Sequence, residues 1–372
     1  MAMSFDDYVN AYYGGTLGIS KRYGIQKDTL ATADDGYFNT MFGATVFNQL
    51  NTRSEMFKLL KKEGWEKSGW RVLTARGTTT AGVSEGGALP TSDVPDMAEV
   101  PATLKEVATR WEVTTKAELL SDADDGIKNL ASFLRKEQAE THAFYIDQML
   151  LSTADVAQGD DINTIDRVTL GTAGATAMDT YVEADSNIYD IDRSATTSWS
   201  APNENHGSGT NRVLALSYLD DVIQGCLTNG ANYNDLIIMT GHDTYSELKQ
   251  LLQTGTNNLY RADVGAGGGV LNGVAGESGI NYDTRVGSYD GIPIYVSQHT
   301  AVSTDNNGTS ISHIHVLDMK NLAMRIAAPT TYLDASNMAV NGKLSKEHAL
   351  ITAGEMIAYK FQTMGSVRDL KA

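Results

Sequence analysis

The chain has 372 residues, 41% hydrophobic and 20% charged, which places it among globular proteins and excludes a disordered or fibrous chain. A net charge of −17 speaks against tight nucleic-acid binding, which needs a basic surface to neutralise phosphates. The single cysteine, Cys226, rules out an intrachain disulfide and a four-cysteine zinc site, and no run approaches the ~20 apolar residues of a membrane helix.

Residues 1–68 read as an N-terminal arm. The first fifty are rich in Tyr, Gly, Asn and Thr without a sustained period. The opening MAMSFDDYVNAYYGG has neither the basic start nor the apolar core of a secretory signal, so synthesis and assembly in the cytosol are expected. Thr52-Arg53-Ser54-Glu55 fits a capping box and predicts a short helix to about Glu63, with Phe57 and Leu60 on its apolar side. Lys58, Lys61, Lys62, Lys67 and Arg71 give this stretch a basic lean that a solvated helix face explains.

GWRVLTAR (69–76) reads as a strand. Residues 77–101 then carry Gly, Thr and three prolines but no Lys or Arg, with too few large apolar side chains to bury themselves. From Val107 the pattern alternates: Val107, Thr109, Trp111, Val113 and Thr115 face one way and Ala108, Arg110, Glu112, Thr114 and Lys116 the other. Pairing of 107–115 with 69–76 is expected to make a long hairpin with a mobile tip. A two-stranded ribbon is marginal in water. Such an arm therefore needs a neighbouring subunit, and Trp70, Arg76, Leu89, Val94, Met97, Arg110 and Trp111 are the candidate contacts.

Ser121 is placed to cap a helix running to Leu151, with Asp122, Asp124 and Asp125 in its first turn. Ile127, Leu130 and Leu134 form an apolar stripe at its start, and Phe144, Tyr145, Met149 and Leu150 another at its end. Residues 152–210, rich in Asp, Thr, Gly, Asn and Ser, read as a partly stranded insertion. Compact α/β structure follows: a helix at 213–228 holding Cys226 as a buried, inert thiol, a buried strand DLIIMT (235–240), and a helix from His242. Strands are predicted at IPIYVS, at HIHVLD (313–318) and in EMIAYKFQTMGSVRDL.

Catalytic and binding patterns are sparse. Gly82-Val83-Ser84-Glu85-Gly86 matches a nucleophile elbow in letters, but neither flank supplies the strand and helix that such a turn needs. His313 and His315 share one strand face without a third ligand, so a surface-strand pair is the simpler reading. His242-Asp243 is more simply a helix start than an acid–base pair. The Asp122–Gly126 cluster fails EF-hand spacing. The glycines of 265–279 follow no nucleotide-binding spacing, and Asn307-Gly308-Thr309 reads as a turn. No catalytic residue, metal ligand or cofactor is assigned.

The order of these elements resembles the coat proteins of tailed viruses, the Hong Kong 97-like capsid fold. The likeness rests on VATRWEVTTKAELLSDADDGIKNLASFLRKEQAETHAFYIDQMLL (107–151) and on DLIIMTGHDTYSELKQLL followed by YDGIPIYVS, together with their order along about two-thirds of the chain. It implies an α+β protein with an N-terminal arm (1–68) and an extended hairpin loop (69–118). A peripheral domain (119–212) would hold the spine helix (121–151) and the insertion, followed by an axial domain (213–312) and returning C-terminal strands (313–372). The resemblance further implies a non-enzymatic major capsid protein that assembles with itself into pentamers and hexamers of an icosahedral virion shell. Scaffolding, portal and cement proteins would be its partners, and packaged double-stranded DNA would be held without sequence-specific contacts and without a membrane. The tip has no lysine, so a lysine–asparagine crosslink formed from it is not expected. An encapsulin-type compartment shell is the alternative within the same fold, and a serine hydrolase using Ser84 the alternative outside it.

Overall fold

The computed structural model describes residues 29–30, 55–121, 130–154, 159–177, 181–254, 287–300, 302–304, 310–334 and 345–371. In chain order the elements are β1 (Thr29–Leu30), α1 (Met56–Leu59), β2 (Lys61–Gly64), β3 (Gly69–Ala75), β4 (Asp96–Pro101), β5 (Lys105–Thr114), α2 (Thr115–Ser121) and α3 (Leu130–Leu151). Next come α4 (Ile165–Thr169), α5 (Thr172–Ala177), α6 (Thr197–Ser200), β6 (Asn203–Asn205), α7 (Leu216–Thr228), β7 (Leu236–Thr240) and α8 (His242–Thr254). The remainder is β8 (Gly287–Tyr289), β9 (Ile292–Val296), β10 (Val302–Thr304), β11 (Ser310–Asp318), β12 (Leu322–Asp334), β13 (Ser345–Ala358) and β14 (Gly365–Lys371).

The chain divides into two compact units. One comprises 1–53, 106–145 and 328–353, the other 54–105, 146–327 and 354–372, so α3, β12 and β13 continue from one into the other. In the first, β5 lies between β1 and β13, and β13 pairs with β12. The alternation of β5 decides its faces: Val107, Trp111 and Val113 are buried while Glu106, Ala108 and Arg110 are exposed. Trp111 stacks on His348 at 5.6 Å and lies 6.0 Å from Tyr332, over a core of Val113, Ala117, Leu130, Leu134 and Leu350. His142 of α3 bridges Thr109 and Thr352, each at 2.8 Å, so the polar middle of that helix has one buried anchor.

The larger unit is built on a seven-stranded sheet ordered β6-β14-β11-β7-β9-β8, with β10 on β11. Every residue of β7 is buried, which is why its sequence is an unbroken apolar run. Leu219, Val222, Ile223 and Cys226 recur at helical spacing along α7 and bury against this sheet's core. Asp290 and Gly291, at φ of 50° and 79°, make the tight turn that pairs Tyr289 with Ile292. Positive φ at both central residues is the two-residue hairpin geometry that Asp-Gly favours.

Several expectations change. The strand at 69–75 pairs with 96–101, Trp70 opposite Val100, and not with 107–115. The alternating strand β5 instead belongs to the sheet with β13 and β1, where Trp111 and its partners find burial that a free ribbon could not supply. Helix α2 starts at Thr115 and includes Ser121, so Ser121 is itself helical instead of preceding a helix as its cap; Asp122, Asp124, Asp125 and Ile127 lie outside the described residues. In the last turns of α3, Ile146 and Leu150 are fully buried whereas Tyr145 is 51% exposed. Among the described residues of the arm only Met56–Leu59 is helical, without a side-chain cap, and Lys61–Gly64 is a strand parallel to β12.

Among its described residues the insertion 152–210 holds short helices separated by irregular chain, with β6 as its strand. Arg193 organises it, donating to the carbonyls of Arg167 at 2.9 Å, Val168 at 3.1 Å and Leu170 at 2.6 Å. These carbonyls sit at the end of the short helix α4, where backbone acceptors lack helical partners. Burial lowers the Arg193 pKa to about 9, still charged at neutral pH.

Candidate assembly surface

The hairpin β3–β4 is fixed at its base and open at its tip. At the base, Trp70 packs edge-on against Tyr189 at 5.1 Å and Tyr359 at 5.8 Å, and Val100 is buried opposite it. Arg325 covers the Trp70 and Tyr359 rings and donates to the Lys67 carbonyl at 3.0 Å. The Tyr359 hydroxyl donates to Glu63 at 2.5 Å, and that bond is the main reason the Glu63 carboxyl sits below its ordinary range. Gly69 lies so close to the Val100 carbonyl that a Cβ there would stand 2.6 Å from it.

Beyond Ala75 the side chains turn to solvent. Leu89 is 85% exposed, Val94 76% and Met97 69%. The tip has a turn in which the Gly87 N–H donates to the Ser84 carbonyl at 2.8 Å, with Gly86 at φ 78°. Asp93 closes the neck by accepting from the Thr78 N–H at 2.9 Å. Large apolar side chains are thus left in water along the hairpin.

The seven candidate contacts therefore separate. Arg76, Leu89, Val94 and Met97 are exposed on the hairpin. Trp70 is half-buried in the aromatic group at its base. Arg110 and Trp111 belong to the other unit, where Arg110 pairs with Glu347 at 2.5 Å and Trp111 is 8% exposed.

The other motifs resolve structurally. Ser84 lies in an exposed turn with irregular chain on both sides, without the strand and helix of an elbow. His313 and His315 are buried, not on the surface as expected. Burial lowers their pKa to about 3 and about 4, so both are neutral at pH 7. They adjoin a cluster that leaves no local mark in the sequence, where Arg368 bridges Asp166 at 2.7 Å and Glu204 at 3.1 Å. Burial would raise the Asp166 pKa, but the Arg368 guanidinium and the Ala154 N–H hold it well below the usual carboxylate range. Glu204 has the opposite outcome: burial outweighs Arg368 and lifts it to about 7. No group of three His, Cys, Asp or Glu able to hold a metal occurs among the described residues. Cys226 is buried, and that burial pushes its thiol up to about 12. His242 is exposed while Asp243 accepts from Ser312, so the two do not form a pair. The glycine-rich 265–279 and Asn307–Thr309 lie outside the described residues.

No protein-family model matches the chain, and no curated protein matches it. Solved structures do. A chain of the cyanophage A-1(L) capsid is 15% identical, with 88% of this chain and 96% of that one covered at a TM-score of 0.63. The capsid of an empty GTA particle is 13% identical, covering 96% and 98% at 0.53. The mature capsid of bacteriophage PhiM1 is 13% identical, covering 88% and 90% at 0.52. The chain therefore has the α+β Hong Kong 97-like fold of phage capsid proteins.

Proposed function

We propose that the chain is the major capsid protein of a tailed virus, assembling with itself into pentamers and hexamers of an icosahedral shell around double-stranded DNA. The observation that carries this reading is the capsid fold over 88% of the chain, joined to a hairpin whose tip leaves Leu89, Val94 and Met97 in water. Burying such side chains is favourable by about 25 cal/mol per Å² of apolar surface. Each subunit makes several contacts, so modest individual energies sum to a closed shell. The role is structural, without catalysis, and the location is the virion, with assembly in the host cytoplasm. Scaffolding and portal proteins complete the assembly, and the acidic wall encloses its DNA without sequence-specific grip.

Negative-stain microscopy of the purified protein tests this directly. Closed shells with five- and six-fold capsomers and nuclease-protected DNA are expected; shells filled with an enzyme instead of nucleic acid would make it a compartment protein. Removing residues 78–93, which leaves β3 and β4 joined by a short turn, is expected to give soluble subunits or capsomers that do not close. Normal shells from that deletion would overturn the role given to the tip.

A further inference from the structure

Two buried carboxyls grip the insertion from different strands. The Glu204 side chain on β6 is 6% exposed and accepts from the Gly174 N–H at 3.1 Å. It fills the turn at the start of α5 so closely that a Cβ at Gly174 would collide with it. Glu355 on β13 is fully buried and accepts from the Asn163 N–H and its own neighbour Met356, each at 2.9 Å. Residues 163–174 are thus pinned at both ends, and between the pins Asp166 is fixed separately by Arg368.

Little positive charge surrounds the pins. Facing Glu204 are Arg368 of β14 at 3.1 Å, Asp166 of α4 and, from the chain before α6, Arg193. Arg368 is shared with Asp166, so one close cation serves two buried carboxyls. His313 and His315 of β11 adjoin Asp166 and Arg368 and add no charge at pH 7. Facing Glu355 are the Tyr189 hydroxyl and Lys105, whose ammonium donates to the Gly159 carbonyl. The second Glu355 oxygen, Oε2, is buried and accepts no hydrogen bond among the described residues. An ionised oxygen in that position is costly, and a proton removes the charge.

We propose that Glu204 and Glu355 form a pH-sensitive latch, which holds residues 163–174 against β6 and β13 below neutrality and loosens as both carboxyls ionise above it. Burial outweighs the partners of each group and lifts both to about 7. Opening returns each to water and to the ordinary 4.5 of a glutamate. A carboxyl raised in the closed form stabilises it fully below the open value, and that stability is lost as pH climbs through the closed value. Asp166 stays ionised across this window, since it is held well below the usual carboxylate range, and does not contribute to the change.

Hydrogen exchange of the whole chain tests the latch, with the opening of 163–174 obtained by dividing out the intrinsic exchange rate at each pH. Between about pH 5.5 and pH 8, opening in the parent should rise at least about twentyfold. Glu204→Gln with Glu355→Gln copies the protonated form and keeps an acceptor oxygen for each N–H. In that variant the rise should shrink to less than about threefold. A parent whose opening does not change with pH overturns the proposal, and this arm needs no variant to fold. A rise that survives undiminished in the double variant overturns it equally. These amides report on the subunit itself, so the outcome is independent of whether shells form.

Discussion

The larger unit contains two regions that handle difficult groups in opposite ways. Behind the seven-stranded sheet, Arg368, Asp166 and Glu204 are charged groups carried into the interior, and the chain itself supplies their counter-ions and backbone donors. At the hairpin tip, Leu89, Val94 and Met97 are apolar groups left in water, and the described chain offers them no cover. A region whose demands are met internally supports the fold, and its substitution should be read out in stability. A region whose demands are unmet points outward, and its substitution should be read out in assembly.

The sharpest way to break this contrast is Arg368→Met. It leaves two buried carboxylates without their cation, and removing one partner of a buried pair costs about 3–5 kcal/mol. Urea unfolding should show a loss at the upper end of that range. A loss under about 1 kcal/mol would mean that the cluster is not closed. Trp111→Ala extends the test to the other unit, where the ring lies against Tyr332 and His348. A loss of about 3–4 kcal/mol is expected, without a specific defect in capsomer contacts.

A smaller effect follows from Asp147. It is buried and accepts the Phe57 N–H at 2.7 Å, and burial raises its pKa to about 6. A carboxyl whose folded pKa exceeds its unfolded value stabilises most at low pH, and that stability is lost as pH rises through the folded pKa. Between about pH 4 and pH 7 the parent should therefore lose roughly 2–3 kcal/mol relative to Asp147→Asn. Parallel pH curves for the two proteins would show that the carboxyl is not held this way. The smallest effect on stability belongs to the tip: Leu89→Ser with Val94→Ser should shift unfolding by no more than about 0.5 kcal/mol. Shell closure, followed by sedimentation, should nevertheless fail, and it is this pairing of unchanged stability with lost assembly that separates the two regions.

Much of the secondary structure was legible because the signals are local. The period of two from Val107 to Val113, the apolar run of β7, the helical spacing of Leu219 to Cys226 and the Asp290-Gly291 turn each lie within a dozen residues. The open tip was legible for the same reason, since a stretch with few large apolar residues and no cations is visible in composition. The partner of β3 was not. Two nearby strands, β4 and β5, could each have answered it, and the more strongly alternating one was taken by β13 and β1. His313 and His315 read as a surface pair because a period of two marks a shared face without telling which way it points.

The sequence by itself determined β5, β7, α7, the Asp290-Gly291 turn and the exposed tip, because propensity, periodicity and composition act between near neighbours. Only the tertiary structure decided which strand completes the hairpin, which charges are buried and where a groove opens beside β3. Asp166 and Arg368 meet across 202 residues, and the walls of the groove come from segments still farther apart in the chain's order, 70–76 and 359–362 among them. Such encounters are settled by packing, since burying a charge is tolerable only where its partner arrives.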